Sequence, residues 1–381
     1  MFIVGFNLNI SKIKNNWILL LKIFKKMSEF KNPLSRSISK STVLHYCVKK
    51  YYLSTYSNYL REKDWWLRND AMVAKNLKSL AMRLGECLHD LMSDYLHLLQ
   101  NNQNISENIE KIKFSLLSKM DRDFQISRAR DYSKYNPDVK FWLTEHYYKE
   151  NIDDFYEKWK ETILSEFEQF CQSELNAEIQ RYFQEPWNTL FIEPKEKNFE
   201  SMKIEIDNIP DLMWMNIFAQ PDFWIITKDK KYIIYDRKSG KIPEKAPDSI
   251  SDQLKVYAYK ILQKIWYDKI DDFEVEAYEI FLKWIVKFGW KITKQDLLDI
   301  EQKIIDDANI QKSLILNKNV SDNQPVDSSY FQRTNDLYKC KNCTFYKVCE
   351  ELKKYETTKW MDELQIPKIS EIDYSEDDFP F

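Results

Sequence analysis

Glycine is nearly absent. There are four in 381 residues, at positions 5, 85, 240 and 289. No glycine-rich loop ends in a phosphate-gripping lysine, which excludes an ATP-driven motor of that type. Where glycine is so scarce, each one suggests a backbone that needs it. Long apolar runs are also missing: none reaches the roughly 18–20 residues of a membrane span. The apolar patch Trp17–Phe24 runs into Lys25 and Lys26 with no small-residue cleavage site, a poor match to a secretory leader. Met27 reads as the start, with 1–26 an upstream extension. Excess positive charge is absent, the net being −3. Any nucleic-acid contact must therefore come from a local patch rather than a global field. There are six cysteines, three of them close together at 340, 343 and 349, and clustered cysteines in a large intracellular chain bind metal more often than they form disulfides. The expected location is the cytoplasm, with no membrane partner.

What is present is ordinary globular usage, 44% apolar and 31% charged, enough for a packed core. There is no internal repeat. Helical spacing covers 41–52 and 72–99, the latter with Leu77, Leu80, Leu84, Leu88, Leu91 and Tyr95 at three- and four-residue steps. Residues 100–200 are charged, aromatic and mainly helical, with 152–183 the longest stretch. The texture changes near 202. Strands are expected at 212–219, 222–227, 232–238 and 273–284. A helix opens at Pro247-Asp248, with capping-box spacing in Ser249 and Asp252, and runs to about 265. Another helix covers 294–308.

The chemistry lies in Pro221-Asp222-Phe-Trp-Ile-Ile-Thr227, a turn at Asp229, and Lys231-Tyr-Ile-Ile-Tyr-Asp236-Arg-Lys238-Ser-Gly240. Folded as a hairpin about Asp229, this segment sets Asp222 directly opposite Asp236, with Cβ atoms about 5 Å apart. The two-residue strand period puts Lys238 on the face of Asp236. Two carboxylates so close repel unless a positive charge intervenes, and a hard divalent cation with oxygen ligands suits the place. Such a site fits phosphodiester hydrolysis: the cation polarises the phosphate and activates water, and Lys238 orients that water and offsets developing charge. A surface hairpin with scattered charges would carry the same residues, and Asp-x-Lys alone is common. Two features add weight. Gln253 and Tyr257 share a helix face four residues apart. Gly85 and His89 do likewise, a bare glycine letting that helix approach the sheet and His89 reach the cation.

The order Gly85-Glu-Cys-Leu-His89, Pro221-Asp222, Asp236-Arg-Lys238-Ser-Gly240 and Gln253-Leu-Lys-Val-Tyr257 resembles the RecB-type branch of the PD-(D/E)XK nucleases, across about 37–350. The long gap from His89 to Asp222 looks more like RecB- and AddB-type nuclease domains than compact CRISPR-associated ones. Ala219-Gln220 stands where many members carry glycine. The resemblance implies an α/β (α+β) restriction-endonuclease-like core, a central mixed β-sheet flanked by helices, with a large helical insertion at about 100–200 inside a nuclease domain over 27–361. It implies His89, Asp222, Asp236 and the Arg237 carbonyl as ligands of Mg²⁺ or Mn²⁺, and Lys238 as the catalytic lysine. Gln253 and Tyr257 would support the site and contact DNA.

Cys340-Lys-Asn-Cys343-Thr-Phe-Tyr-Lys-Val-Cys349 gathers three thiols, and Cys47 is the natural fourth. One cysteine near the start and three near the end resemble the iron–sulfur staple of AddB-type nucleases, which implies a [4Fe–4S] cluster. The same spacing permits a Cys₄ zinc site. Cys87 and Cys171 read as core residues.

Lys228, Lys230, Lys231, Lys241 and Lys245 surround the hairpin, and Arg128 and Arg130 precede an aromatic stretch. Both sets suit contacts to a DNA backbone, and both also read as solvated faces. The acidic tail, 362–381, ends in Phe379-Pro380-Phe381 and resembles the terminus of bacterial single-stranded DNA-binding protein. That implies docking of the tip on a repair or replication partner, a helicase among them; the acids could instead shield a basic channel of this chain. The readings left open are a DNA nuclease in repair, recombination or defence, a non-catalytic iron–sulfur DNA-binding protein, and a nuclease of CRISPR adaptation.

Overall fold

A computed structural model describes residues 34–62, 65–130, 142–193, 202–204, 215–240, 242–244, 249–262, 273–316 and 323–355. The upstream extension, the acidic tail with Phe379, Pro380 and Phe381, and the two lysines Lys241 and Lys245 lie outside the described residues.

A five-stranded mixed sheet organises the chain. Its strands are β1 (Thr189–Ile192), β2 (Phe223–Ile226), β3 (Lys231–Lys238), β4 (Glu274–Phe281) and β5 (Val286–Lys291), in the spatial order β5-β4-β3-β2-β1. All neighbours are antiparallel except β3 and β4, which run parallel. A parallel pair needs a crossover, and the segment between β3 and β4 contains the helix Asp252–Leu262. Both faces of β3 are covered, so its residues are buried from Tyr232 to Arg237. Tyr232 and Ile234 pack with Leu254, Ala258 and Ile300 beneath the helices Asp252–Leu262 and Lys294–Ser313. Ile233 and Tyr235 face the other way, against Leu84, Leu88 and Phe167 of the helical layer. The mixed sheet and its covering helices match the expected core.

Several elements differ from the sequence reading. The 72–99 pattern is broken: helix Trp65–Lys75 ends, a two-residue strand follows, and Ser79 caps a new helix, Leu80–Gln100, by accepting from the Met82 N–H. The 152–183 stretch is likewise two helices, Asp153–Cys171 and Glu174–Gln184, the second capped by Ser173. Ser251, rather than Ser249, accepts from the Leu254 N–H at the head of helix Asp252–Leu262, and Asp252 pairs with Lys303 instead of closing a box. β1 lies inside the 100–200 stretch read as helical. β5 is an added strand: Val286, Phe288 and Trp290 alternate with Lys287, Gly289 and Lys291, a period-two pattern over six residues. Its Gly289 leaves room for the Tyr278 ring, which a Cβ there would meet at 2.3 Å. No helix among the described residues is long and apolar enough to cross a membrane.

A buried ion pair ties the start of the described chain to helix Lys294–Ser313. Arg36 Nε donates to Asp307 Oδ2 at 2.5 Å, and Ser41 Oγ donates to the same oxygen at 2.7 Å. Both charged residues are 2% exposed. Arg36→Ala leaves Asp307 its Ser41 contact and the His45 ring, whose Nε2 lies 2.6 Å from Oδ1, so the expected cost in urea unfolding is about 1–3 kcal/mol.

Candidate active site

The β2–β3 hairpin has the register its sequence suggests. Phe223 pairs with Tyr235 and Ile226 with Tyr232, so the next pair outward is Asp222 and Asp236. The rung is longer than the hairpin. Ile192 of β1 pairs with Phe223, and the Glu193 N–H donates to the Asp222 carbonyl at 2.9 Å, which aligns Glu193 with Asp222. In the parallel ladder Asp236 aligns with Glu279 of β4. Four carboxylates, Glu193, Asp222, Asp236 and Glu279, thus cross four strands in one row.

Asp222 and Asp236 are held by different means. The Arg237 N–H donates to Asp222 Oδ2 at 2.5 Å, and Arg237 Nε lies 3.3 Å from the same oxygen. His89 Nδ1 stands 3.5 Å from Asp222 Oδ1. Burial would raise the Asp222 carboxyl, but the Arg237 guanidinium and then His89 hold it well below the usual carboxylate range. Asp236 goes the other way, raised by burial first and by the Asp222 charge second. Lys238 Nζ lies 2.6 Å from Asp236 Oδ2, a buried oxygen that is charge-paired and has no hydrogen-bond partner. Gln253 completes the set: its Nε2 donates to Asp236 Oδ1 at 3.1 Å and to the Tyr257 hydroxyl at 2.6 Å, and its Oε1 accepts from Lys238 at 2.7 Å. The Tyr257 phenol is raised by burial, then by Asp236 and Asp222, and stays protonated.

The Arg237 side chain also has a place in the site. It is fully buried, and Nη1 donates to the His89 carbonyl at 3.2 Å, binding the Gly85 helix to the hairpin. The carbonyl itself is well placed. The Lys238 carbonyl accepts from Leu282 on the β4 side while the Arg237 N–H turns to Asp222 on the β2 side. Alternation along a strand therefore sends the Arg237 carbonyl to the Asp222 side as well. Gly85 permits the close approach expected of it: a Cβ there would meet Ser239 Oγ at 2.3 Å and Ser239 Cβ at 3.1 Å. Gly85→Ala is expected to cost about 1–3 kcal/mol by overpacking and to weaken cleavage by shifting His89, read by melting curves and a cleavage assay on the same preparation.

Among the described residues, no three His, Cys, Asp or Glu side chains stand around one point at ligand distances. Here Lys238 and Arg237 neutralise the two aspartates. The donor set nevertheless fits a hard divalent ion: two carboxylates, a carbonyl and an imidazole at one sheet end, with a buried carboxylate oxygen that accepts no hydrogen bond.

A model of the PD-(D/E)XK nuclease superfamily matches residues 35–350. The chain belongs to that superfamily. No curated protein matches the chain. Membership supports a phosphodiester-cleaving hydrolase that binds DNA, and superfamily members typically use Mg²⁺ or Mn²⁺.

Glu193 and Glu279 escaped the sequence reading because neither lies in a local motif; only strand register brings them in. Arg128 and Arg130 sit at the end of helix Ile105–Arg128, where Arg128 pairs with Asp153 at 2.9 Å, and neither touches the carboxylate row. Cys47, Cys340, Cys343 and Cys349 line one small cavity together with Tyr46 and Arg333. Cys47 is the extended residue that separates helices Ile38–Tyr46 and Val48–Thr55, which splits the helix read over 41–52. The four thiols are free, and burial pushes the Cys349 thiol up to about 12. Cys87 is buried in the helical core, and Cys171 packs against it.

Proposed function

We propose that this protein is a divalent-cation-dependent, RecB-like deoxyribonuclease acting in DNA repair, recombination or defence. The observation that carries the reading is the hairpin register, which opposes Asp222 to Asp236 with Lys238 Nζ 2.6 Å from the latter. His89, Asp222, Asp236 and the Arg237 carbonyl would hold Mg²⁺ or Mn²⁺, which supplies Lewis-acid activation of a phosphate and a water. Lys238 orients the attacking water and offsets charge on the phosphate as it develops. Gln253 fixes the Lys238 ammonium through Oε1 and passes its second amide hydrogen to Tyr257, whose own proton is left to donate to a DNA phosphate. Arg237 keeps Asp222 ionised and His89 in place. Purified protein should cut linear DNA with Mg²⁺ or Mn²⁺ and stop on chelation. DNA binding without cleavage under every divalent ion tried would favour the non-catalytic alternative.

The cysteine cavity supports a second element, a structural [4Fe–4S] cluster on Cys47, Cys340, Cys343 and Cys349 that staples the two ends of the domain. Its support is that Cys47, from near the start of the domain, lines one cavity with Cys340, Cys343 and Cys349, all four free of disulfides. Four thiolates are the donor set of such a cluster, and equally of structural zinc. Anaerobic purification followed by metal and sulfide analysis is expected to find iron and acid-labile sulfide, both lost in Cys343→Ser. Zinc without sulfide would replace the cluster by a zinc staple.

A further inference from the structure

Glu279 is the buried carboxylate of the row with the least charge compensation. It is 6% exposed, and among the described residues Lys238 is the cation within reach, with Nζ 4.0 Å from Oε1. A buried carboxylate without a close positive partner is unfavourable. Lys238 meanwhile stands 2.6 Å from Asp236 Oδ2. That oxygen belongs to the group a cation would need, and two positive charges compete for it. Lys238 can yield: its side chain is 28% exposed, its four-carbon stem is flexible, and Glu279 lies one strand over, a step of about 5 Å. Gln253 Oε1, 2.7 Å from Nζ, is a pivot for the movement.

The geometry points to Glu279 as a positioning residue that receives the Lys238 ammonium when a divalent cation takes Asp236. The inference rests on the reading of Asp236 as a cation ligand. Glu279 then lowers the cost of displacing Lys238 and holds the ammonium beside the scissile phosphate. The carboxylate row divides its labour: Asp222 and Asp236 face the cation, and Glu279 faces the lysine. The arrangement also gives Lys238 two stations, Asp236 before the cation arrives and Glu279 after.

Mn²⁺ affinity of the full chain without DNA, measured by calorimetric titration, tests this apart from catalysis. Glu279→Gln is expected to weaken binding about tenfold, the scale seen when a group supporting a metal ligand is lost. Lys238→Met is expected to tighten binding, because the competitor is gone. In the Lys238→Met background Glu279→Gln should change nothing, and Glu279→Asp should restore much of the affinity lost by Glu279→Gln. Equal loss in both backgrounds would make Glu279 a direct ligand, and no loss in either would make it a bystander; each overturns the proposal. If Glu279→Gln does not fold, Lys238→Met still decides, since unchanged or weaker binding removes the competition on which the proposal stands. Absence of Mn²⁺ uptake by the unmodified protein is a different result, which overturns the cation reading itself.

Discussion

Lys238→Ala is expected to cleave DNA at least ~10²-fold more slowly, in the range lost with a proton-handling or charge-stabilising side chain. DNA affinity should survive. Lys238 makes its close contacts to Asp236 and Gln253 rather than to the core, and its removal leaves Asp222, Asp236 and His89 in place. Lys238→Arg should rescue little, because a planar guanidinium cannot occupy the compact position between Asp236 Oδ2 and Gln253 Oε1. Single-turnover cleavage under saturating enzyme, beside an equilibrium DNA-binding curve, separates the two effects. Near-normal cleavage by the alanine variant would show that the lysine has no part in the chemistry.

Asp236→Asn should abolish cleavage and the thermal response to cation together. A ligand at a hundred times its dissociation constant stabilises a protein by about 2.7 kcal/mol, so Mn²⁺ should raise the melting temperature of the unmodified protein and leave that of the variant unmoved. The pH dependence has a definite sign. Asp236 is raised above the ordinary carboxylate range, first by burial and then by Asp222. A cation requires it ionised. As pH falls, Mn²⁺ stabilisation should therefore fade at a higher pH than an ordinary aspartate would dictate, and return as pH rises. A variant that still gains stability from Mn²⁺ would move the cation away from Asp236.

How much of this was readable from the residues alone depends on locality. Asp222 and Asp236 belong to one hairpin, whose register follows from a short turn and from the apolar runs on either side, so the opposition of the two acids was legible. Gly85 was legible for another reason: in a chain with four glycines, one at mid-helix four residues before a histidine implies close approach, and Ser239 is what it approaches. Gln253 and Tyr257 follow from helical spacing and meet through Gln253 Nε2. Glu193 and Glu279 were not legible, because their membership of the row depends on which strand lies beside which, and β1 was hidden in a stretch dominated by helical composition. Helix ends failed at Lys75–Ser79 and at Cys47, where three- and four-residue apolar spacing continues across a break in the backbone. The Arg237 side chain was missed because Asp-x-Lys gives its middle residue no role. Burial of that position under the Gly85 helix shows one.

Crystals soaked in Mn²⁺, with anomalous diffraction recorded at the manganese edge, test the central claim most directly. One strong peak between the Asp222 and Asp236 carboxylates, within bonding distance of the Arg237 carbonyl, is the expected result. A saturating soak that leaves that space empty, or a peak held by other residues alone, would contradict it.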